Sequence, residues 1–344
     1  MPIDSMTRRA VFLAGSACAL FACTARPCAG EESASSIGKW RSGPSLPEAV
    51  QEIYPTLHKG MIHLAGGFVS DGETLTGATD RHVALDLNLG AWAEFPPLPT
   101  ARHHPNLISF ADHLLAIGGF QIQSAEADWV MQPGVWKFDG RDWSDAPALS
   151  QPNGESVVGV VGESLHVCGG RNPSGNANAG WTDHTDIADH FVLTSLDGPW
   201  ETAAPLPSAR NSAAAAVIGS DWHVVGGRTV AGGNTSVHEV YDSNEDRWRI
   251  AAPMPQGQGG LAAAAVGGRL YAFGGEFFDA GGGVYAEAWV YDPATDAWTA
   301  ILDMPRPRHG LGAVAVDEDI YVIGGALEVG GSKTSNLVEI FTPA

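Results

Sequence analysis

The sequence predicts an all-β chain folded as a propeller of six four-stranded blades, and three regularities carry that prediction. A glycine pair ends an apolar run six times, starting at Gly66, Gly118, Gly169, Gly226, Gly274 and Gly324. A tryptophan precedes each pair by 26 residues: Trp40, Trp92, Trp143, Trp200, Trp248 and Trp298. The pairs recur every 48 to 57 residues, the length of one supersecondary unit. A single small sheet cannot bury both of its faces, so such units stack around an axis. Glycine, at 43 of 344 residues, suits many turns and argues against a helical fold.

Each element of the repeat has a physical reason. The innermost strand sits where blades crowd together and needs small side chains, as in "SAAAAVIG" (212–219), "LAAAAVGG" (261–268) and "LGAVAV" (311–316). The second strand lies between neighbouring blades and is apolar on both faces, as in "LYAF" and "IYVI". Glycines at its end allow a positive φ or a close backbone approach. The tryptophan of the outer strand offers a large apolar body that seals the blade edge.

The two chain ends complement each other. If residues 1–30 are a leader, only about nine residues precede Trp40, too few for three strands before it, and the last glycine pair is followed by Leu337-Val338-Glu339-Ile340-Phe341 but by no further tryptophan. The strand carrying Trp40 is therefore expected to complete the sixth blade and remove a sheet edge. The period, the glycine pairs and the stretch Val290-Tyr291-Asp292-Pro293-Ala294-Thr295-Asp296-Ala297-Trp298 resemble kelch repeats. The resemblance covers residues 40–344 and implies a six-bladed kelch β-propeller.

Residues 1–30 read as a separate object. Arg8-Arg9 stands before the apolar run Ala10 to Ala22, a charged-then-apolar pattern too short for a membrane span. Thr7-Arg8-Arg9-Ala10-Val11-Phe12-Leu13 resembles a bacterial twin-arginine export signal. Residues 31–344 would then be the propeller, located in the periplasm or secreted, with lipid anchoring at Cys23 the lesser alternative. Cleavage at Gly30 would leave Cys168 as the only cysteine, so no internal disulfide is expected. Cys168 ends an apolar strand and reads as a small buried hydrophobe. The net charge of −20 argues against nucleic acid as a partner.

In an antiparallel blade, the loop after the second strand and the link into the next blade open on one face. The residues there are the candidate ligand-binding set: Arg102, His103, Arg171, Arg210, Asn211, Arg228, Gln258, Glu276, Phe277, Arg308 and His309. Five arginines among them suit carboxylate, sulfate or phosphate recognition. They equally suit bonds to carbonyls that brace the ring. Glu155, Glu276, His103, His184 and His309 are the candidate acid and base groups. The longest insertion, Gly170 to Trp200, contains "WTDHTDIADH". In an extended strand His184, Asp186 and His190 would share a face, yet a solvated hairpin explains them as well, and Trp181 there could stack on a ligand. No metal and no cofactor is expected.

The expected function is therefore binding of a carbohydrate, an acidic small molecule or a peptide at the mouth of the ring. The kelch resemblance also implies an alternative, because the family includes a periplasmic sialic-acid mutarotase. Anomer interconversion needs a proton donor, an acceptor and an anchor for the carboxylate. A copper radical oxidase, also built on kelch blades, is disfavoured, since its Cys–Tyr crosslink would need an accessible cysteine and Cys168 lies in a strand. The oligomeric state is not legible.

Overall fold

In this computed structural model, residues 38–71 and 73–344 are described. The segment expected to be an export signal, with Cys18, Cys23 and Cys28, lies outside the described residues. Alternating small and apolar runs separated by tight turns give short antiparallel strands throughout. Blade 1 comprises Thr56–His58, Met61–Ala65, His82–Asp86 and Ala91–Phe95. Blade 2 comprises Asn106–Phe110, His113–Ile117, Val135–Phe138 and Trp143–Ala146. Blade 3 comprises Val157–Val161, Ser164–Cys168, His190–Leu193 and Glu201–Thr202. Blade 4 comprises Ala214–Ile218, Asp221–Val225, His238–Asp242 and Arg247–Ile250, and blade 5 Ala262–Val266, Arg269–Phe273, Ala288–Asp292 and Ala297–Ala300. Blade 6 comprises Gly312–Val316, Asp319–Ile323 and Val338–Thr342, and its outermost strand is Lys39–Ser42 from the other end of the chain. Trp40 sits opposite Phe341 in that pairing.

The core is divided among the blade interfaces. Six buried apolar clusters each join one blade to the next, and that of Ile62, Leu64 and Val83 with Val314, Ile323 and Ile340 joins the first blade to the sixth. All six innermost strands line a narrow axial cavity of about 170 Å³. Cys168 is buried in this framework, and burial pushes its thiol pKa up.

Polar groups tie the blades as regularly as the apolar ones. The indole N–H of each tryptophan in the series donates to a carbonyl just past the outermost strand of the preceding blade. Trp92 reaches Pro44 at 2.9 Å, Trp143 Pro96 at 3.0 Å, Trp200 Pro147 at 2.7 Å, Trp248 Ala204 at 2.8 Å and Trp298 Ala252 at 2.8 Å. Trp40 obeys the same rule, reaching Leu302 at 3.2 Å across 262 residues of sequence.

The glycine pairs now have a cause. At Gly274, with φ +67°, an added Cβ would lie 2.2 Å from the carbonyl oxygen of Arg308 in the next link, and the N–H of Gly275 donates to that same oxygen at 2.9 Å. Each pair repeats the contact, the acceptors being Arg102, Asn153, Arg210, Gln258, Arg308 and, from the last pair back to the first link, Val50. In five blades the side chain of that acceptor residue then bonds the carbonyl of its own blade's first glycine, 16 residues on. Arg102 reaches Gly118 at 2.9 Å, Asn153 Gly169 at 3.0 Å, Arg210 Gly226 at 2.8 Å, Gln258 Gly274 at 2.7 Å and Arg308 Gly324 at 2.8 Å. Arg210 and Arg308 are further neutralised by buried Glu239 and Glu339.

Three blades carry a buried histidine pair. Nδ1 of His63, His166 and His223 meets Nε2 of His82, His190 and His238 at 2.9, 2.8 and 2.9 Å. Each outer ring uses Nδ1 to reach a carbonyl, of Pro96, Ala204 or Ala252. The outer Nδ1–H donates to that carbonyl, leaving its Nε2 to accept from the inner Nδ1–H. Both rings are thus neutral; the remaining lone pair, on Nε2 of the inner ring, is buried without a partner at His166 and His223, so a proton taken up there would be a buried charge. Burial, aided by the partner ring in some of them, lowers His63 and His238 to about 3 and His82, His166 and His223 to about 4, and His190 is also lowered.

Two outcomes follow from this architecture. Trp40→Ala should lower stability in urea by about 2–3 kcal/mol, as Trp298→Ala should, because both indoles fill the same kind of edge. A Trp40 variant that melts like wild type would mean that the first strand plays no part in the ring. The histidines bind protons more readily unfolded than folded, so their stabilisation is complete above about pH 6.5 and falls as the pH drops towards 4, by about 1.4 kcal/mol per pH unit for each ring. Replacing His63 and His82 with Leu and Val, the residues at the equivalent positions of blade 2 (Leu115 and Val135), should flatten that slope in melts between pH 7 and 5. An unchanged slope would show that other groups govern acid lability.

Candidate functional site

Two residues beyond each link carbonyl, the chain turns through the left-handed region. The six positions are Glu52 (φ 55°), His104 (57°), Glu155 (52°), Ser212 (50°), Gly260 (69°) and Gly310 (59°). They form a belt of backbone bonds around the axis: Glu52 N–H to Gly310 O, His104 to Glu52, Ser212 to Glu155, Gly260 to Ser212 and Gly310 to Gly260, at 2.7–3.1 Å. Glycine takes this conformation freely, whereas another residue held in αL costs about 1–3 kcal/mol. Four blades nevertheless place a polar side chain there.

Those side chains meet as one network. His104 Nε2 contacts Glu52 Oε2 at 2.9 Å. Its Nδ1 lies 2.7 Å from Nδ1 of His103, whose Nε2 donates to the carbonyl of Asp128 at 3.0 Å. Glu155 accepts from Arg171 at 2.8 Å and from Ser212 Oγ at 2.7 Å. Arg228 bridges Glu276, at 2.6 Å, and Glu155, at 3.5 Å. His309 Nδ1 stands 3.5 Å from Glu52 Oε1 and 3.5 Å from Glu276 Oε2.

Burial by itself would raise the carboxyl of Glu52, but the charge and hydrogen bond of His104, together with the nearby His309, outweigh it and hold the group well below the usual range. Burial is likewise outweighed at Glu155, by Arg171, His104 and Arg228. Burial would lower His309, and its carboxylate neighbours Glu52 and Glu276 raise it instead. Burial and the adjacent carboxylates push the Tyr54 hydroxyl well up.

Above this floor opens a cavity of about 420 Å³. Glu52, Glu276, His309 and Arg228 face it from below, and Phe68, Trp129, Trp181 and Phe278 wall it. The walls stand on short ribbons that spring from the glycine corners: Val50–Gln51 with Phe68–Ser70 and Leu75–Ala78, Phe120–Gln121 with Val130–Met131, Arg171–Pro173 with His184–Asp186, and Glu276–Phe277 with Gly283–Val284.

The structure separates the predicted site residues into two groups. Arg228, Glu276 and His309 border the cavity, and Trp181 forms part of its wall. Arg102, Arg210, Gln258 and Arg308 do not reach it; they are the buried braces already described, and Arg102 also stacks 3.6 Å over Trp136. Arg171 lies behind the wall, 3.4 Å from the ring of Trp181 and bonded to Glu155. Asn211 is buried on Asp186 at 2.5 Å. His103 is enclosed between Phe68 and Phe120, with ring centroids at 3.9 and 5.1 Å. Phe277 packs on Tyr285, and its neighbour Phe278, 64% exposed, takes the rim.

The insertion of blade 3 yields no His–Asp–His face. His184 packs on Phe120 in a mouth ribbon, while His190 belongs to the body of the blade, paired with His166. The alternation argument assumed one strand where the chain forms two. Among the described residues, the group with metal-binding geometry is instead Glu52, Glu276 and His309, whose ligand atoms lie within 4.8 Å of one another. Glu52 was the residue missed in the sequence. It stands 14 residues before its glycine pair, in register with His104 and Glu155, and that register is the signal that finds it. Phe68 directly follows its glycine pair, in register with Arg171, Arg228 and Glu276, and Phe278 closes the stretch Glu276-Phe277-Phe278, whereas Trp129 carries no comparable mark.

Comparison with known proteins agrees with this architecture. One solved structure, "Structure of YjhT", superposes with a TM-score of 0.70 over 87% of this chain and 95% of that one, at 15% identity; it is similar in fold. The kelch-like protein terF of Aspergillus terreus is 26% identical over 196 residues, 55% of this chain and 41% of that protein. Kelch-like protein 41b of Danio rerio is 30% identical over 129 residues, 36% of this chain and 20% of that protein. The chain thus spans less than half the length of these curated relatives. Residues 134–325 match the KLHDC2/KLHL20/DRC7 Kelch-repeats domain, and this chain, with its six glycine-cornered blades, belongs to that kelch-repeat family.

Proposed function

We propose that this kelch propeller binds a small hydroxyl-rich molecule, of about the size of a monosaccharide, in the cavity at its mouth. The observation that carries this reading is the αL belt. Glycine serves at two of its six positions, and at four the chain accepts strain to place Glu52, His104, Glu155 and Ser212 in the network through which Glu52 is presented to the cavity. Strain of that kind marks sites where a side chain is needed. Aromatic walls with a few convergent polar groups suit a sugar ring, whose faces stack while its hydroxyls donate to carboxylates. The arginines expected to grip an anion are already engaged with carbonyls or carboxylates, so a neutral ligand fits better than a strongly acidic one.

A second reading, turnover of that ligand by proton transfer, is supported by the chain from Glu52 through His104 and His103 to the Asp128 carbonyl. It resembles the paired donor and acceptor that anomer interconversion requires. A thermal-shift screen of neutral sugars, sugar acids and short peptides tests the first reading. A neutral sugar should raise the Tm, and Trp181→Ala and Glu276→Gln should weaken its binding by about tenfold or more while the fold persists. A hit restricted to sugar acids or peptides, or one indifferent to both variants, would overturn it. Proton NMR of the anomeric signals then separates turnover from binding.

Export is proposed with it, on the strength of Arg8-Arg9 preceding the apolar run. In a bacterial host, wild type should fractionate with the periplasm or medium and the Arg8→Lys/Arg9→Lys double variant should stay inside. Equal distribution of the two would sink the twin-arginine assignment.

A further inference from the structure

We propose that Glu52, Glu276 and His309 form a binding site for a divalent transition-metal ion on the floor of the mouth cavity. Each of the three presents one atom to the same point, and each is held there by a different neighbour. His309 is wholly enclosed, and its Nε2 lies 3.0 Å from the carbonyl oxygen of Gly330, so that Nε2 carries the proton and donates it. The lone pair of the neutral ring is then on Nδ1. That atom is buried, makes no hydrogen bond, and points between two carboxylates.

The carboxylates are oriented in the same fashion. Glu52 gives Oε2 to His104 at 2.9 Å and turns Oε1 towards His309. Glu276 gives Oε1 to Arg228 at 2.6 Å and turns Oε2 towards His309, where the Gly330 N–H also reaches it at 2.8 Å. Outer partners that fix the tautomer of a histidine and the free oxygen of a carboxylate are what metal ligands have around them. Gly310 completes the cradle, since a Cβ there would stand 2.7 Å from Oε1 of Glu52.

The spacing fits an ion. Zinc bonds of about 2.0–2.2 Å in tetrahedral geometry put neighbouring ligand atoms about 3.3–3.6 Å apart; the two histidine–carboxylate separations are both 3.5 Å, and all three ligand atoms lie within 4.8 Å of one another. One imidazole with two carboxylates is a borderline donor set, suited to Zn²⁺, Mn²⁺ or Fe²⁺ more than to Mg²⁺ or Ca²⁺, which prefer oxygen alone. Three protein ligands leave the cavity side open for a fourth donor, such as water or a ligand hydroxyl. Arg228 borders the group, and its positive charge is already matched by Glu276 and Glu155. The inference concerns the same cavity as the proposed sugar site but does not depend on it, because metal uptake is measured without any sugar present.

The test is titration of chelator-treated, full-length protein with Zn²⁺, Mn²⁺, Mg²⁺ and Ca²⁺ by calorimetry at pH 8. One equivalent of Zn²⁺ or Mn²⁺ should bind saturably, with Mg²⁺ and Ca²⁺ far weaker. Glu52→Gln and His309→Gln should each reduce the affinity by about 100-fold or more, since removal even of an outer partner costs about 10- to 100-fold. If either variant fails to fold, crystals of wild type soaked in Zn²⁺ decide the matter through anomalous density between the three side chains. No saturable uptake, equal affinity in both folded variants, or density elsewhere would each overturn the proposal.

Discussion

Six carbonyl oxygens, one in each link between blades, hold the remainder of this structure in place. Each accepts the N–H of the second glycine of a pair and occupies the space where a side chain on the first glycine would be. Hydrogen bonds of this kind add only about 1 kcal/mol apiece, but losing one would leave a buried amide unsatisfied. Because the last of them runs from Gly325 to Val50, the series has no loose end. The tryptophan bonds and the apolar clusters follow the same circular order, which makes the blades mutually dependent.

This arrangement decides where chemistry can be placed. Two residues past each link carbonyl the backbone must turn through αL, and the next side chain faces the axis. Gly260 and Gly310 meet that demand without strain and leave room; Gly310 leaves it for Glu52. Glu52, His104, Glu155 and Ser212 meet it with strain and supply polar side chains. The repeat is thus a scaffold with one variable position per blade at the centre of the mouth, and variation at that position sets the polarity of the cavity floor.

The floor shows how charge is managed under burial. Three carboxylates lie close together, and isolated carboxylates in such a place would bind protons instead of remaining ionised. Arg171, Arg228 and the imidazoles of His104 and His309 prevent this, so that Glu52 and Glu155 sit below their ordinary range. In the body of the blades the histidines do the opposite. For the pairs of His63, His166 and His223 with their outer partners burial dominates, outweighing Asp246 near His166 and Asp296 near His238, and the rings remain neutral.

Local periodicity determined the blades, because glycine spacing, small inner strands and the tryptophan interval report contacts that recur with every repeat. It also determined that Arg228, Glu276 and His309 would lie on one face, since strand direction settles that. The fates of the five arginines were not legible. Arg102, Arg210 and Arg308 stand at the same place in the repeat and serve the backbone, whereas Arg171 and Arg228, which follow the glycine pairs, meet carboxylates: Arg171 that of Glu155 in its own repeat, Arg228 those of Glu276 and Glu155 in the neighbouring ones. Trp129 and Phe278 stand on ribbons of other blades than the one that carries Glu52 and Phe68, and the convergence of these residues depends on how far each ribbon projects over the axis. Only the folded ring decided that, because contacts between repeats leave no period in the chain.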